Sequence, residues 1–458
     1  MILIILSKKT FYRKEFLYSV RIVIKRIGSN QLYHNTCCVR AKVKTAAGGM
    51  HLHSNILICG GGNGAHAMAA MAKAAMGREG RVGIYAPYGN EAALMKEAML
   101  ENGGIEVVES DSGNAPREVI DLITADPAEA ASLAGMALIV APAFAHEAIL
   151  ESLAPFLPPW VVVGAIPARS GFEFSAPYIL KKHNVARPVI AVGQTLPWAC
   201  RLLEFGKRVR ILGRKNSVGV AAMPSGAAGE VAAALSRFTG VSFFPVDNVL
   251  AVSLGNVGQI IHPGIMYGLF RDWSGSPLSD LEVPLFYQGV NEEICNILES
   301  MSGEIMSICS RIQDSYPGRI SLRQVQPLFD WLISSYPRDI EDSSSLKQAF
   351  KTNRAYTGLK APVKPAGGGG YTPDFSSRYL TEDVPTGLVV TRALAQLCGV
   401  PTPAVDEVIA VTGAWMRTEY LAGGRLEGRG VPGTRVPWNY GLHDLESVIA
   451  AVTGPGGG

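Results

Sequence analysis

The fold is decided by residues 55–67, which read NILICGGGNGAHA. Four apolar residues lead into three glycines, and an alanine-rich run follows. This order is typical of a buried parallel strand, a tight turn and the beginning of a helix. The sequence therefore predicts the first strand–helix unit of an α/β domain.

The spacing of small residues in this turn indicates a site for the pyrophosphate of a dinucleotide. Gly60 forms the tight turn and Gly62 lets the backbone approach the phosphates, while Ala65 allows the helix to pack closely on the strand. Asn63 and Gly64 lie at the positive end of the helix dipole, which favours an anion. The alternative interpretation is a glycine-rich turn that binds no ligand.

The end of the second strand is the usual place where the two nicotinamide cofactors are distinguished. Residues 81–85 predict that strand, and the chain continues as APYGN at 86–90. An acid there would favour NAD through a ribose hydroxyl, and an arginine would accommodate the 2′-phosphate of NADP. Because neither is present, the sequence leaves open whether the cofactor is NAD or NADP.

Strand and helix patterns alternate over the next part of the chain. Helices are predicted over residues 91–101, near 127–134 and over 147–153, and strands over 105–108, 136–142, 160–165, 189–192, 208–212, 218–222 and 241–245. This alternation is typical of a parallel, doubly wound sheet with right-handed crossovers.

The character of the chain changes near Val246. Apolar residues then recur at spacings of three and four, as over 294–308, which indicates helices. A loop over 360–374, rich in glycine and proline, is expected to be mobile or to close over a ligand. We predict an α/β protein with an N-terminal Rossmann-type doubly wound sheet over residues 51–246 and a second, all-helical domain over 247–458.

Residues 1–50 form a basic leader that is expected to be disordered and to lie outside both domains. They hold ten of the 42 basic residues and one of the 39 acidic residues. Such a segment suits an organellar targeting sequence, or a start placed too early, with Met50 as the true first residue. The protein is expected in the cytoplasm, or in an organelle such as the mitochondrion if the leader is genuine.

The composition of the remaining chain argues against several classes of protein. It carries 32 basic against 38 acidic residues, which indicates neither a nucleic-acid partner nor a basic membrane patch. Two uncharged stretches, 152–168 and 248–270, approach the length of a membrane span, but prolines or polar residues interrupt each of them. The seven cysteines show no metal-ligand spacing, so reduced thiols and no metal site are expected.

Two further stretches contain residues suited to chemistry. The first, NVGQIIHPG at 256–264, begins with Asn256 and places His262 beside a proline, where a helix begins or breaks. The alternative role for His262 is that of a packed core residue.

The second stretch, SSRYLTEDVPTGL at 376–388, contains Arg378 and Asp383. An arginine can bind a carboxylate through two parallel hydrogen bonds, and an aspartate can orient a histidine and stabilise its charged form. The alternative is an ordinary helix start in which Asp383 caps the helix and Arg378 pairs with surface acids.

Together these features resemble the opine dehydrogenase family, which contains the octopine and nopaline dehydrogenases. The resemblance runs from residue 55 to about residue 450 and is strongest to the octopine-type enzymes of marine invertebrates. The matching stretches are GGGNGAHA at 60–67, APAFAHEAILE at 141–151, ARSGFEF at 168–174, QTLPWACRLLEFGKRVRILG at 194–213, NVGQIIHPGIMYG at 256–268, LKQAFKTNRAYTGL at 346–359 and YTPDFSSRYLTEDVPTGLV at 371–389.

The resemblance implies an oxidoreductase that condenses an amino acid with a 2-oxo acid, typically pyruvate, and reduces the imine with NAD(P)H. The family's catalytic histidine falls on His262, its partner aspartate on Asp383 and its substrate-carboxylate arginine on Arg378, with Asn256 in the substrate-binding stretch. Two features depart from the family pattern, namely the missing acid after residue 85 and Arg169 in the ARSGFEF stretch.

Two other functions are compatible with the same architecture. One is a dehydrogenase of the 6-phosphogluconate or glycerol-3-phosphate type, whose phosphate substrate would need a basic cluster such as Lys347, Lys351 and Arg354. The other is a cofactor-binding redox sensor without turnover. The sequence defines neither the amino-acid substrate nor the oligomeric state.

Overall fold

The computed structural model describes residues 55–109 and 117–454, together with the backbone of five short strands among the first 37 residues. These strands belong to a separate unit, Met1–His51, and form two small antiparallel sheets. They are β1 (Ile2–Leu6), β2 (Thr10–Tyr12), β3 (Glu15–Leu17), β4 (Val20–Ile24) and β5 (Asn35–Cys37). The rest of the predicted leader over 1–50 lies outside the described residues.

The second unit, Leu52–Gly458, begins with the α/β half of the molecule. Its strands are β6 (Asn55–Cys59), β7 (Arg81–Tyr85), β8 (Ile105–Glu109), β9 (Arg117–Glu118), β10 (Leu122–Thr124), β11 (Met136–Ile139), β12 (Val162–Ala165), β13 (Val189–Gly193), β14 (Trp198–Glu204), β15 (Arg208–Arg214), β16 (Ser217–Met223) and β17 (Ser242–Pro245). Its helices are α1 (Asn63–Met76), α2 (Glu91–Asn102), α3 (Pro127–Ala131), α4 (Ala143–Leu153), α5 (Phe172–Lys182) and α6 (Ala228–Thr239).

The main sheet has eight strands in the order β10-β7-β6-β11-β12-β13-β16-β17. The strands from β10 to β13 are parallel, whereas β16 runs antiparallel to β13. The central strand β6 is buried along Ile56 to Cys59, as expected when helices cover both faces of a parallel sheet. The predicted Rossmann-type doubly wound sheet is confirmed.

The order of the strands defines where a ligand would bind. From β6 the chain moves outward to β7 on one side, and later returns to β11 on the other side. Such a switch point opens a crevice at the carboxyl ends of the two central strands. The turn that follows Cys59 lies at this crevice.

The strand predicted over 105–108 lies in a different sheet from the one expected. It is β8, which pairs with β15 in a four-stranded sheet of order β14-β15-β8-β9. Only Ile105 and Val107 of β8 are buried, so it is a one-sided strand, unlike the strands of the main sheet. One edge of the main sheet is instead β10, and the sequence predicted neither β10 nor β14.

The chain is predominantly helical from Val249 onward. The elements are α7 (Val249–Leu254), α8 (Gly258–Phe270), α9 (Glu292–Ser315), α10 (Leu328–Ser335), α11 (Leu346–Thr352), α12 (Arg378–Thr381), a π-helical turn (Val384–Leu388), α13 (Val389–Cys398), α14 (Pro403–Trp415) and α15 (Leu445–Thr453). The glycine-rich loop contains a short hairpin of β18 (Val363–Pro365) and β19 (Tyr371–Pro373). The hairpin is a small correction to the all-helical prediction, and the helical patterns noted in the sequence all lie on helices.

One helical run, Val249–Phe270, is long and apolar enough to cross a membrane. It comprises α7 and α8, and 72% of its most apolar window is buried inside the protein. Its hydrophobicity is therefore explained by packing, since α8 lies against α9 and α14 in the core of the helical half.

Candidate active site

The glycine turn is closed by contacts that require glycine at its first position. The Gly60 N–H donates to the Tyr85 carbonyl at 2.8 Å, which ties the turn to the end of β7. Gly60 has φ +137°, and a Cβ there would lie 2.5 Å from the Val140 carbonyl oxygen. A side chain at this position would separate β6 from the neighbouring β11.

The next residues leave the beginning of α1 open. A Cβ on Gly62 would meet nothing within 4 Å, whereas a Cβ on Gly64 would lie 2.9 Å from Val140 Cγ1. Ala65 is fully buried, so its small side chain permits the close packing of α1. The Asn63 side chain is already engaged, since its Oδ1 accepts a hydrogen bond from Leu202 N at 3.1 Å. The turn therefore leaves open space beside Gly62, which lets a phosphate approach the backbone.

The His66 side chain connects this turn to a neighbouring hairpin through two hydrogen bonds. Its Nε2 accepts a hydrogen bond from Gly206 N at 3.0 Å, so the ring proton is on Nδ1, which donates to the Gly62 carbonyl at 3.0 Å. Burial lowers the pKa of the imidazole, which favours this neutral form. His66 thus links the turn to the hairpin between β14 and β15.

An acid reaches the turn from an unexpected direction. Glu91 is the first residue of α2, and a Cβ on Gly61 would lie 2.3 Å from Glu91 Oε2. The carboxylate therefore lies directly against Gly61. Glu91 follows the end of β7 by six residues, so an acid lies beside the turn although none stands at the strand end.

His262 and Asp383 form the central pair of the helical half. His262 lies on α8, and Asp383 lies between α12 and the π-helical turn. The His262 Nδ1 atom is 2.7 Å from Asp383 Oδ2. The aspartate is 1% exposed, while the imidazole side chain is 19% exposed and so remains accessible. This is the geometry of an acid–base histidine oriented by a carboxylate.

Two tyrosines fix the imidazole ring. Tyr379 stacks on His262 with ring centroids 4.1 Å apart and planes within 6°. The Tyr287 hydroxyl lies 3.2 Å from His262 Nε2, and burial raises the pKa of this phenol well above its usual range. Tyr287 therefore stays protonated and can exchange a hydrogen bond with Nε2 in either protonation state of the histidine.

Arg169 holds the other oxygen of the same aspartate. Its Nη1 lies 2.9 Å from Asp383 Oδ1, at an angle that forms an ion pair without a hydrogen bond. Burial by itself raises the pKa of Asp383, but the charge of Arg169 and the contact with His262 outweigh it and hold the pKa below its usual value. The carboxylate is therefore ionised at neutral pH.

Arg378 is placed differently from the histidine pair. Its guanidinium is 60% exposed and binds Glu382, with Nε 2.8 Å from Oε2. Glu382 is itself buried, and its Oε1 accepts a hydrogen bond from Ala143 N, at the beginning of α4, at 3.0 Å. Arg378 is thus paired with an acid, but its remaining donors are free to reach solvent or a ligand.

Asn256 lies beside Arg169. Its Oδ1 accepts a hydrogen bond from Arg169 Nη1 at 3.4 Å. Its buried Nδ2 has no hydrogen-bond partner among the described residues, and the same holds for Arg169 Nε. Unsatisfied buried donors are costly, so an acceptor oxygen placed here would gain two hydrogen bonds.

Several of these residues were not identified as site residues from the sequence. Glu382 and Tyr379 lie within the RYLTED stretch, next to residues that were identified. Arg169 was noticed only as a departure from a family pattern. Tyr287 carried no local signal, because only the folding of the chain brings it to His262.

A doubly wound sheet with a dinucleotide turn, joined to a helical half with a histidine–aspartate pair, defines the class of two-domain nicotinamide-dependent dehydrogenases. The family of NAD/NADP octopine/nopaline dehydrogenases, by its alpha-helical domain, matches residues 245–416. An opine dehydrogenase of Haliotis discus hannai is 38% identical over 403 residues, which cover 86% of this chain and 98% of the relative. The chain therefore belongs to the opine dehydrogenase family, as the resemblance predicted.

Solved structures agree with this assignment. A structure of octopine dehydrogenase with NADH and L-arginine has a TM-score of 0.81 at 32% identity, covering 88% of this chain and 98% of the other. A structure of octopine dehydrogenase with NADH and pyruvate has a TM-score of 0.77 at 30% identity, with the same coverage. The predicted class of enzyme, an NAD(P)-dependent oxidoreductase acting on CH–NH bonds, is confirmed with the family.

Proposed function

We propose that this chain catalyses the NAD(P)H-dependent condensation of an amino acid with a 2-oxo acid to give an opine, with pyruvate as the oxo acid. The observation that carries the proposal is the 2.7 Å contact between His262 and the buried Asp383. Octopine dehydrogenase structures that hold NADH with L-arginine or pyruvate support the choice of substrates.

The two halves of the chain have separate roles in this proposal. Residues 51–246 bind the cofactor and residues 247–458 bind the substrates. This division is supported by the last strand of the main sheet, Ser242–Pro245, and by the first helix that follows, Val249–Leu254. The protein acts in the cytoplasm, unless residues 1–50 direct it to an organelle, which the location of a C-terminally tagged full-length chain would reveal.

The cofactor is held by the glycine turn, and its identity is set beside that turn. Gly60, Gly62, Asn63, Gly64 and Ala65 form the pyrophosphate site, in which the open backbone at Gly62 faces the anion. When bound, the reduced nicotinamide supplies the hydride.

Glu91 favours NADH over NADPH in this proposal. Its carboxylate lies against Gly61, at the turn. A carboxylate there accepts hydrogen bonds from ribose hydroxyls and repels a 2′-phosphate. Residues 86–95 contain no lysine or arginine that could bind such a phosphate.

His262 performs the proton transfers. In its charged form, stabilised by Asp383, it polarises the keto oxygen of the oxo acid. The neutral amine nitrogen then adds to the keto carbon, and one of its protons passes to the keto oxygen, which becomes a hydroxyl. His262 donates a second proton to this hydroxyl, which leaves as water, and a protonated imine remains. The accessible Nε2 is the atom that exchanges the proton, because Nδ1 is held by Asp383.

Arg378 and Asn256 bind the substrates. The partly exposed guanidinium of Arg378 can take a substrate carboxylate while Glu382 orients it. The unpartnered Nδ2 of Asn256 offers a second donor to a substrate oxygen. Fixing the carboxylate next to the reacting carbon reduces the entropic cost of hydride transfer.

The test is an activity screen on the purified protein. Oxidation of NADH and of NADPH is followed with pyruvate alone and with pyruvate plus each of a panel of amino acids, and the product mass is measured. We expect at least one amino acid to raise the rate and to give the secondary-amine product. If no amino acid raises the rate above that with pyruvate alone, the proposal is wrong, and cofactor binding without turnover would indicate a redox sensor.

A further inference from the structure

Arg169 has a positive φ angle, and hydrogen bonds of both neighbouring residues fix its backbone. It follows β12 and has φ +59°, a left-handed conformation that costs a residue other than glycine about 1–3 kcal/mol. The Ala168 N–H donates to the Gly193 carbonyl at 3.0 Å, and the Ser170 N–H donates to the Thr386 carbonyl at 2.9 Å. The sheet and the helical half thus both hold Arg169 in a strained conformation, which indicates that its side chain has a defined role.

The side chain of Arg169 shares one buried carboxylate with His262. The two Asp383 oxygens divide between them, with Oδ1 2.9 Å from Arg169 Nη1 and Oδ2 2.7 Å from His262 Nδ1. The Arg169 side chain is only 17% exposed, so solvent screens this pair weakly. The contact is therefore stronger than an ordinary surface ion pair.

This sharing affects how strongly His262 holds its proton. A buried aspartate with no other partner would stabilise the charged imidazole and raise its pKa. Arg169 neutralises part of that carboxylate and adds a positive charge that opposes protonation. An acid–base catalyst works best when its pKa is near the working pH. A histidine that held its proton too strongly could not donate it to the substrate.

A small set of charged and titratable groups surrounds the His262 imidazole. Arg169 also lies 3.6 Å from Glu382, through Nε and Oε1, and Glu382 in turn binds Arg378. The Tyr287 phenol beside the ring carries no charge at neutral pH, because burial raises its pKa. Among the described residues, the titratable groups that contact His262 are Asp383, Tyr287 and Tyr379. Arg169 pairs with Asp383 on its other side, and Glu382 and Arg378 follow through further ion pairs.

We propose that Arg169 is a positioning residue that holds the Asp383 oxygen not used by His262 and, by sharing this carboxylate, limits how strongly His262 retains its proton. The inference rests on the proposed role of His262 as the acid–base group. Its primary test needs no turnover, so it can fail or succeed independently of the proposed activity.

The primary test is an NMR titration of the His262 ring in the full chain without substrates. The signal is assigned by its loss in His262→Gln, and the titration is repeated in Arg169→Met, Arg169→Lys and Arg425→Met. Arg425 pairs with Glu427 on the surface and so controls for the loss of one charge. Thermal unfolding verifies that each variant is folded, and Arg169→Gln replaces Arg169→Met if the latter does not fold.

We expect Arg169→Met to raise the His262 midpoint by about one pH unit, because a nearby positive charge is removed. In Arg169→Lys the midpoint should stay near the wild-type value, and Arg425→Met should not change it. An unchanged midpoint in Arg169→Met would overturn the proposal. So would a downward shift, since it would mean that Arg169 only keeps Asp383 in place. If Arg169→Gln takes the place of Arg169→Met, the same outcomes apply, because it too removes the positive charge.

A double-mutant cycle in the active enzyme gives the second test. Asp383→Asn is expected to lower kcat, and adding Arg169→Met to it should lower kcat less than twofold further, because Arg169 acts through Asp383. A further loss equal to that of Arg169→Met alone would show direct contact with substrate and would contradict the proposal. If Asp383→Asn leaves kcat unchanged, the proposed catalytic pair is wrong, whereas the titration result for Arg169 stands by itself.

Discussion

The glycine turn and the histidine–aspartate pair are built in opposite ways. The turn is encoded in 13 consecutive residues, 55–67, which are at once strand, turn and helix. The pair joins His262 to Asp383, which lie 121 positions apart and on different elements of the helical half. The turn can therefore be found by its spacing alone, whereas the pair is recognised only through the fold or a family resemblance. The predictions below address this difference.

The largest effect is expected at the pair. Replacing His262 with Ala removes the proposed acid–base group, and we expect kcat to fall by about 10²–10⁴, the usual contribution of such a group. The thermal unfolding temperature should also fall, because the ring stacks on Tyr379 and holds the buried Asp383, so kcat is measured well below the unfolding transition of the variant. Steady-state kinetics with the best amino acid from the screen measure the effect.

The matched control is His443→Ala, which removes an exposed histidine of the same helical half. Its kcat should equal that of the wild-type protein. If His262→Ala retains wild-type turnover, the histidine is not in the mechanism, and the pair is only a packed contact.

The turn offers a comparison between two of its glycines, Gly60 and Gly62. Gly60→Ala should destabilise the fold by about 1–3 kcal/mol, because its φ is +137° and the new Cβ would lie 2.5 Å from the Val140 carbonyl. Gly62→Ala should leave stability nearly unchanged, since a Cβ there meets nothing within 4 Å. It should nevertheless weaken NADH binding by about tenfold or more, because a methyl group would stand where the phosphates approach.

Urea unfolding and NADH fluorescence titration separate the two effects. If Gly62→Ala binds NADH as tightly as the wild-type protein, the open backbone at Gly62 does not mark the pyrophosphate site. Equal loss of stability in both variants would mean that the turn is rigid throughout.

Most of the fold followed from local patterns, and the errors have physical causes. The strand Arg81–Tyr85 has the predicted bounds because its burial is continuous and its flanks are turns. The strand Ile105–Glu109 was assigned to the wrong sheet, because strand pairing is non-local and its partner β15 comes about a hundred residues later. Helix α4 begins at Ala143, four residues earlier than predicted, since apolar residues at its start resemble the preceding strand.

The candidate site was predictable only in part. His262, Asp383 and Arg378 came from ordered stretches that match a family, and the structure brings the first two together but leaves Arg378 on Glu382. Arg169 and Glu91 could not be placed from sequence, because their partners are set by a loop conformation and by a helix start. Neither residue belongs to a motif whose spacing could be recognised in the sequence.

Replacing Glu91 tests whether the helix after β7 distinguishes NADH from NADPH, which is usually done by a residue at the end of the strand. In Glu91→Gln the repulsion of a 2′-phosphate is lost and ribose binding weakens. We expect NADH affinity to fall by about fivefold to tenfold and NADPH affinity to rise, so that the ratio of the two affinities decreases. Binding titrations with both nucleotides measure this, and Glu97→Gln, on the same helix, is the control. An unchanged ratio of the two affinities would remove Glu91 from cofactor selection.

The smallest effect concerns the pH dependence of stability at the pair. The pKa of Asp383 is held below its usual value of 3.8 in the folded protein. A carboxyl group with a lowered folded pKa contributes stability above its unfolded pKa, and this contribution is lost as the pH falls through the folded pKa. The difference in unfolding free energy between wild type and Asp383→Asn should therefore shrink as the pH falls from about 4 to 3. Urea unfolding across this range measures it. A difference that stays constant down to pH 3 would show that the charge on Asp383 adds nothing to stability, and that Arg169 and His262 only compensate for its burial.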